Sequence, residues 1–111
     1  MSESAQKDGR ITRIEAISEL NPKDGEVPRI EKLATVDGAT VIRIGFTAGQ
    51  VMDDHRAPAP ILVQGITGDV SFSTADETVS LIPGTAVHLG GGVVHKLVAN
   101  TDSVVMLTIL R

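Results

Sequence analysis

The sequence predicts an all-β fold, a β-sandwich or barrel, and three observations carry the prediction. From Arg29 onward, apolar and polar residues alternate at period two. Turn signals break that alternation every several residues, at Asp37-Gly38, Ala48-Gly49, Gly68-Asp69, Pro83-Gly84 and Asn100 to Asp102. The apolar content is aliphatic, with two Phe and no Trp or Tyr, and β-branched aliphatics suit a half-buried pleated surface.

The 111 residues allow one domain with one modest core. With 41% apolar and 22% charged residues, the chain has globular composition. Residues 1–10, MSESAQKDGR, are polar and expected to fray. In ITRIEAISEL, Ile11, Ile14, Ile17 and Leu20 fall three apart, and Thr12 with Glu15 matches a capping box, which predicts a short amphipathic helix. Asn21-Pro22 ends it, because a residue before proline is pushed out of the helical region. NPKDGEVP, residues 21–28, reads as a loop. The expected division is therefore an arm over 1–28 and a β-domain over 29–111.

Ile30 to Val36 and Thr40 to Phe46 form a hairpin about Asp37-Gly38, where Gly accepts the positive φ of a tight turn. In the second strand Ile42, Ile44 and Phe46 share the better core face, leaving Arg43 for a surface or an interface. Gln50 to His55 follows. Pro58 and Pro60 cannot donate to a ladder, so Ala57 to Pro60 is an edge or bend. Ile61 to Ile66, Val70 to Ser73, Glu77 to Leu81 and Thr85 to Leu89 are the next strands. The triple glycine Gly90 to Gly92 reverses the chain into Val93 to Ala99, and Val104 to Leu110 completes a set of eight or nine strands.

Several function classes are excluded or disfavoured. A net charge of −4 lacks the electrostatic footprint of phosphate-backbone binding, and the scarcity of aromatics removes the usual platform for base stacking, so no nucleic-acid partner is expected. No cysteine is present, so disulfides and thiolate metal sites are excluded. The charged opening is unlike a signal peptide, and no apolar run approaches the ~20 residues of a membrane helix. The expectation is a cytoplasmic protein without a membrane partner.

Two histidine-bearing stretches, GQVMDDHRAPAPILVQGITGDV and GTAVHLGGGVVHKLVAN, resemble the two motifs of the cupin family. Of the first motif, G-x5-H-x-H-x3-E-x6-G, the chain has Gly49, His55 and Gly68, with Ala57 and Ile61 at the second histidine and glutamate positions. Of the second, G-x5-P-x-G-x2-H-x3-N, it has Gly84, Gly92 and His95, with Gly90 for the proline and Ala99 for the asparagine. The resemblance spans roughly residues 29–110. It implies a double-stranded β-helix, or jelly-roll, barrel with the helical arm in front of it.

Metal-binding cupins hold Fe, Mn, Ni or Zn with three histidines and a glutamate. The resemblance assigns His55 and His95 as metal-ligand positions here. Divalent metals usually take three or four protein donors. The further candidates are His88 and Gln64, and Asp53 is two residues from His55 and so expected on its face. Ile61, Val63 and Val93 are the expected apolar lining of a ligand site beside Asp53. Three functional readings follow. One is a cupin enzyme whose metal polarises a small substrate, with dioxygenase, isomerase or decarboxylase chemistry open. The second is a metal-free module that binds or senses a small organic ligand. The third is a structural subunit whose barrel exists to dimerise. Homodimerisation is expected under all three, through the strand around Val41 and Arg43 or the segment Ile11 to Leu20.

Overall fold

Asp37-Gly38 reverses the chain between β1 (Arg29–Val36) and β2 (Ala39–Phe46), as its turn chemistry demands. The computed structural model describes residues 9–111, so the fraying expected of residues 1–10 falls largely outside the described residues. Seven further strands follow: β3 (Val51–His55), β4 (Ile61–Thr67), β5 (Val70–Ser73), β6 (Thr78–Leu81), β7 (Ala86–Leu89), β8 (His95–Ala99) and β9 (Ser103–Leu110). They form a five-stranded sheet in the order β1-β2-β9-β4-β7 and a four-stranded sheet in the order β3-β8-β5-β6. Every pairing is antiparallel. Apart from the β1–β2 and β5–β6 hairpins, each connection crosses from one sheet to the other. The two sheets are thereby woven into one layered barrel.

The alternation read from sequence sets the inner faces. Ile44 and Phe46 on β2 are buried, and they pack with Val63 of β4, Phe72 of β5, Leu81 of β6 and Leu97 of β8. Ile42 packs against this cluster from the same face of β2. Each such aliphatic side chain contributes roughly 1.5–3 kcal/mol on full burial, so this interior is the main source of stability.

No helix is present among the described residues. Ile11 to Leu20, whose spacing predicts one, is an arm with a single turn at 17–18, where the Glu19 amide donates to the Ala16 carbonyl at 3.1 Å. A ten-residue helix is marginal on its own propensity, and here contacts with the sheet decide the conformation. The arm lies along β2. A Cβ on Gly45 would sit 2.2 Å from the Leu20 carbonyl oxygen, so only glycine lets the arm come this close.

Arg43 is consequently not a surface residue. It is 5% exposed, and Val41 on the same strand is buried as well. Arg43 Nη1 donates to the Ala16 carbonyl, and Nη2 donates to Glu31 Oε1 at 2.8 Å. Asn21 Nδ2 donates to the same Glu31 oxygen at 2.9 Å, which ties arm, β1 and β2 together. The guanidinium of Arg43, followed by Asn21, holds the Glu31 carboxyl below its ordinary value. Within the single chain, the arm thus lies over Arg43 and Gly45 of β2.

No helix among the described residues is long and apolar enough to cross a membrane.

Candidate functional site

The site is built on the β3–β8 pair. Val51 faces Val98, Met52 faces Leu97 and His55 faces His95. From Met52 to His55 strand β3 advances three residues while β8 advances two, so one extra residue bulges out of β3. The bulge returns His55 to the side of the sheet that Met52 occupies. It also breaks the two-residue rule by which Asp53 was expected beside His55. Asp53 and Asp54 are exposed at the bulge, with the Asp54 amide donating to Asp53 Oδ1 at 2.8 Å.

On β8 the alternation is regular, and His95, Leu97 and Ala99 are all buried. His95 is 1% exposed. Its ring meets the exposed His55 ring edge to face, with centroids 5.3 Å apart and planes at 86°. On another side it stacks with Phe72, at 5.4 Å and 13°. His95 Nδ1 is 3.0 Å from the Val93 carbonyl oxygen. A carbonyl only accepts, so Nδ1 carries the hydrogen of this bond. The other ring nitrogen, Nε2, is buried and has no partner among the described residues.

The turn before β8 fixes this arrangement. The Gly92 amide donates to the Ala57 carbonyl at 2.7 Å, and a Cβ on Gly91 would lie 2.6 Å from the Pro58 carbonyl oxygen. The proline bend and the triple glycine are thus docked backbone to backbone, which sets the path of Val93 and hence the ring of His95.

Beside this turn lies a cavity of about 530 Å³. The β5–β6 hairpin, β7 and the turn enclose it, with apolar walls from Phe72, Val79, Val87, Leu89, Val93 and Val94. Thr74, Asp76, Glu77 and His88 also border it, and no lysine or arginine among the described residues does. Phe72 and Val93 belong both to the cavity wall and to the immediate surroundings of His95. A smaller groove of about 430 Å³ runs between the 23–28 loop and β3, and Asp53 and His55 border it.

The other sequence candidates are dispersed. His88 pairs with Leu62 and is exposed, while its neighbours Val87 and Leu89 pair with the buried Val63 and Ile61. It therefore faces away from the interior and is no third imidazole for His55 and His95. Gln64 pairs with Ala86 and Met106 on that same outer face and is turned from the barrel for the same reason. Ile61 and Val63 are 1% and 0% exposed, filling the core instead of lining a ligand site. Val93 does border the cavity.

These placements bear on the metal set that the resemblance implies. His95 has one ring nitrogen without a partner among the described residues and the other held by a carbonyl, as metal-ligating histidines commonly are. Yet no group of three or more His, Asp or Glu side chains that could hold a metal ion converges anywhere among the described residues. Two imidazoles fall short of the three or four donors a divalent ion usually takes, so the residues present do not fit the expected group.

Sequence reading missed the cavity's main walls. Phe72 and the Val79, Val87 and Leu89 positions read as ordinary inward strand residues, and nothing local distinguishes a core position from a cavity wall. The one available signal was the acidic hairpin tip Thr74-Ala75-Asp76-Glu77 between two apolar strands.

No family model and no curated protein matches the sequence. Solved structures do match. An RmlC-like cupin protein from Desulfovibrio desulfuricans is 18% identical, over 90% of this chain and 97% of that one, with a TM-score of 0.79. A protein with a double-stranded β-helix domain from Klebsiella pneumoniae is 15% identical over 90% of each chain, with a TM-score of 0.77. KdgF from Halomonas is 21% identical over 80% of this chain and 85% of that one, with a TM-score of 0.69. The chain has the cupin fold, a double-stranded β-helix in a single domain.

Proposed function

We propose that this small protein of the cupin fold is a binding or sensing module that takes a small, largely apolar organic molecule at its barrel mouth without a metal ion. The observation that carries the reading is the 530 Å³ cavity, whose walls Phe72 and Val93 also hold His95 in place. A concave site of that size with mostly apolar walls and a few polar groups is what a small organic ligand needs. The donor count supports the metal-free form, since among the described residues His55 and His95 come together without a third donor.

The test has two arms. Elemental analysis of untagged protein, before and after exposure to Fe(II), Mn(II), Ni(II) and Zn(II), is expected to show no stoichiometric metal. Near-stoichiometric metal that disappears in a His55→Ala, His95→Ala double variant would overturn the metal-free form. A thermal-shift screen of small apolar compounds is expected to give hits that raise the melting temperature with ligand concentration, since a ligand that binds only the folded state stabilises it. Hits whose effect survives filling of the cavity by Val79→Phe would remove the cavity from the account.

A further inference from the structure

The outer faces of the two sheets differ in chemistry. On the four-stranded sheet, register turns Ser71 and Ser73 of β5, Thr78 and Ser80 of β6 and Lys96 of β8 outward, while Phe72 and Leu97 between them are buried. Hydroxyls and an ammonium suit a face turned to water. The outer face of the five-stranded sheet instead carries Leu62 and Gln64 of β4, Ala86 and His88 of β7, and Met106 and Thr108 of β9. No Asp, Glu, Lys or Arg stands anywhere on these three strands, although 22% of the chain is charged. On the neighbouring β2 the one charged residue is Arg43, and the arm and Glu31 already hold its guanidinium.

We propose that a second copy of this chain covers the outer face of the five-stranded sheet, the two faces packing about a twofold axis with Leu62 and Met106 near its centre. Both side chains are half-buried in the single chain, and pairing takes the rest of them out of water. Five strands about 4.8 Å apart, with eight residues of about 3.3 Å each in β2 and β9, make a face of about 600 Å². Two such faces bury about 1,200 Å², the lower end of stable, specific interfaces. Charge points to the same partner. Each copy carries a net charge of −4, so two copies repel wherever carboxylates come face to face. Across β9, β4 and β7 they oppose none. Gln64 and Thr108 each hold a donor and an acceptor, so each can pair with its own kind across the axis, which a lone charge cannot do.

Light scattering during size-exclusion chromatography, run from low to high micromolar concentration, is expected to show a dimer. Leu62→Lys with Met106→Lys places two unpaired ammonium groups in the interface and is expected to raise the dissociation constant about a hundredfold or more. Ser80→Lys adds the same charge to the outer face of the other sheet and is expected to leave the dimer unchanged. The chain has no cysteine, so Leu62→Cys or Ser80→Cys gives each copy a single site for a spin label. Labels on Leu62→Cys are expected to lie closer together than those on Ser80→Cys, since sheets packed face to face are about 10 Å apart.

A monomer at high micromolar concentration would overturn the proposal. So would a folded Leu62→Lys, Met106→Lys variant that still dimerises as tightly as the wild type. Should that variant fail to fold, the labels decide: a shorter distance for Ser80→Cys than for Leu62→Cys would put the interface on another face. The ligand reading is tested separately, because Leu62, Met106 and Ser80 do not border the cavity.

Discussion

The two ends of the β3–β8 ladder treat a buried polar side chain in opposite ways. At one end Gln50, just before β3, is 2% exposed. Its Oε1 accepts from the Thr47 amide at 2.9 Å, and its Nε2 donates to the carbonyls of Lys23 at 2.8 Å and Gly25 at 3.1 Å. The backbone beside it is paired too, with the Ala99 amide donating to the Gln50 carbonyl at 3.0 Å. At the other end His95 is as deeply buried, but only one of its two nitrogens has a partner among the described residues. A polar group whose bonds all close within the chain fastens the fold. One beside a cavity that is left half-paired keeps an atom for a molecule from outside to meet, which is the role proposed for His95.

The largest expected effect tests the closed end. Gln50→Leu removes three hydrogen bonds and strands two loop carbonyls, and should cost about 2–4 kcal/mol by urea denaturation. A loss below about 1 kcal/mol would mean that the loop over 23–28 is not held by this side chain. Next comes the arm itself. Gly45→Ala drives a methyl into the Leu20 carbonyl, which is backbone and cannot turn aside, so a cost of about 1–3 kcal/mol and faster proteolysis within residues 9–22 are expected. Cleavage at the wild-type rate would show that the arm has room to spare over β2.

At the open end the effect on stability should be small. His95→Phe replaces a half-paired polar ring by an apolar ring of similar size stacked on Phe72, and should stay within about 1 kcal/mol of wild type. A loss as large as that of Gln50→Leu would make His95 a structural residue and erase the contrast between the two ends.

The smallest effect concerns pH. The Glu31 carboxyl lies below its ordinary value of 4.5 in the folded protein, chiefly through its hydrogen bond from Arg43. Around that pH the unfolded chain therefore binds more protons, and the pair's contribution is present above about 4.5 and lost as pH falls through the folded value. Glu31→Gln should flatten the acid limb of the stability curve. Parallel curves for the variant and wild type would contradict this account of the arm.

Much of the fold was legible in the residues because it rests on period-two alternation and turn chemistry, both local. Asp37-Gly38 gave the first hairpin, and Ile42, Ile44 and Phe46 gave the inner face of β2. The arm was misread because its three-residue spacing fits a helix, while its conformation is set by Gly45 and Arg43, far along the chain. Arg43 was misplaced for the same reason: a charged residue on an outer face is exposed unless another segment lies over it. At the site, the motif positions of His55 and His95 raised the question whether the two meet, and in the fold they are direct cross-strand partners. The position of Asp53 was not legible, because a single bulge residue changes which side chains share a face. Nor was the cavity, since Val63 and Val87 are alike in sequence and differ only in what stands opposite them.

The measurement that tests the central claim most directly is the imidazole ¹⁵N spectrum of His95, recorded on the metal-free protein and again with a small apolar compound that raises its melting temperature. The account predicts a hydrogen on Nδ1, held by the Val93 carbonyl, and His95 ring resonances that shift when the compound fills the neighbouring cavity. An Nδ1 without its hydrogen, or ring resonances indifferent to the compound while the cavity resonances move, would contradict it.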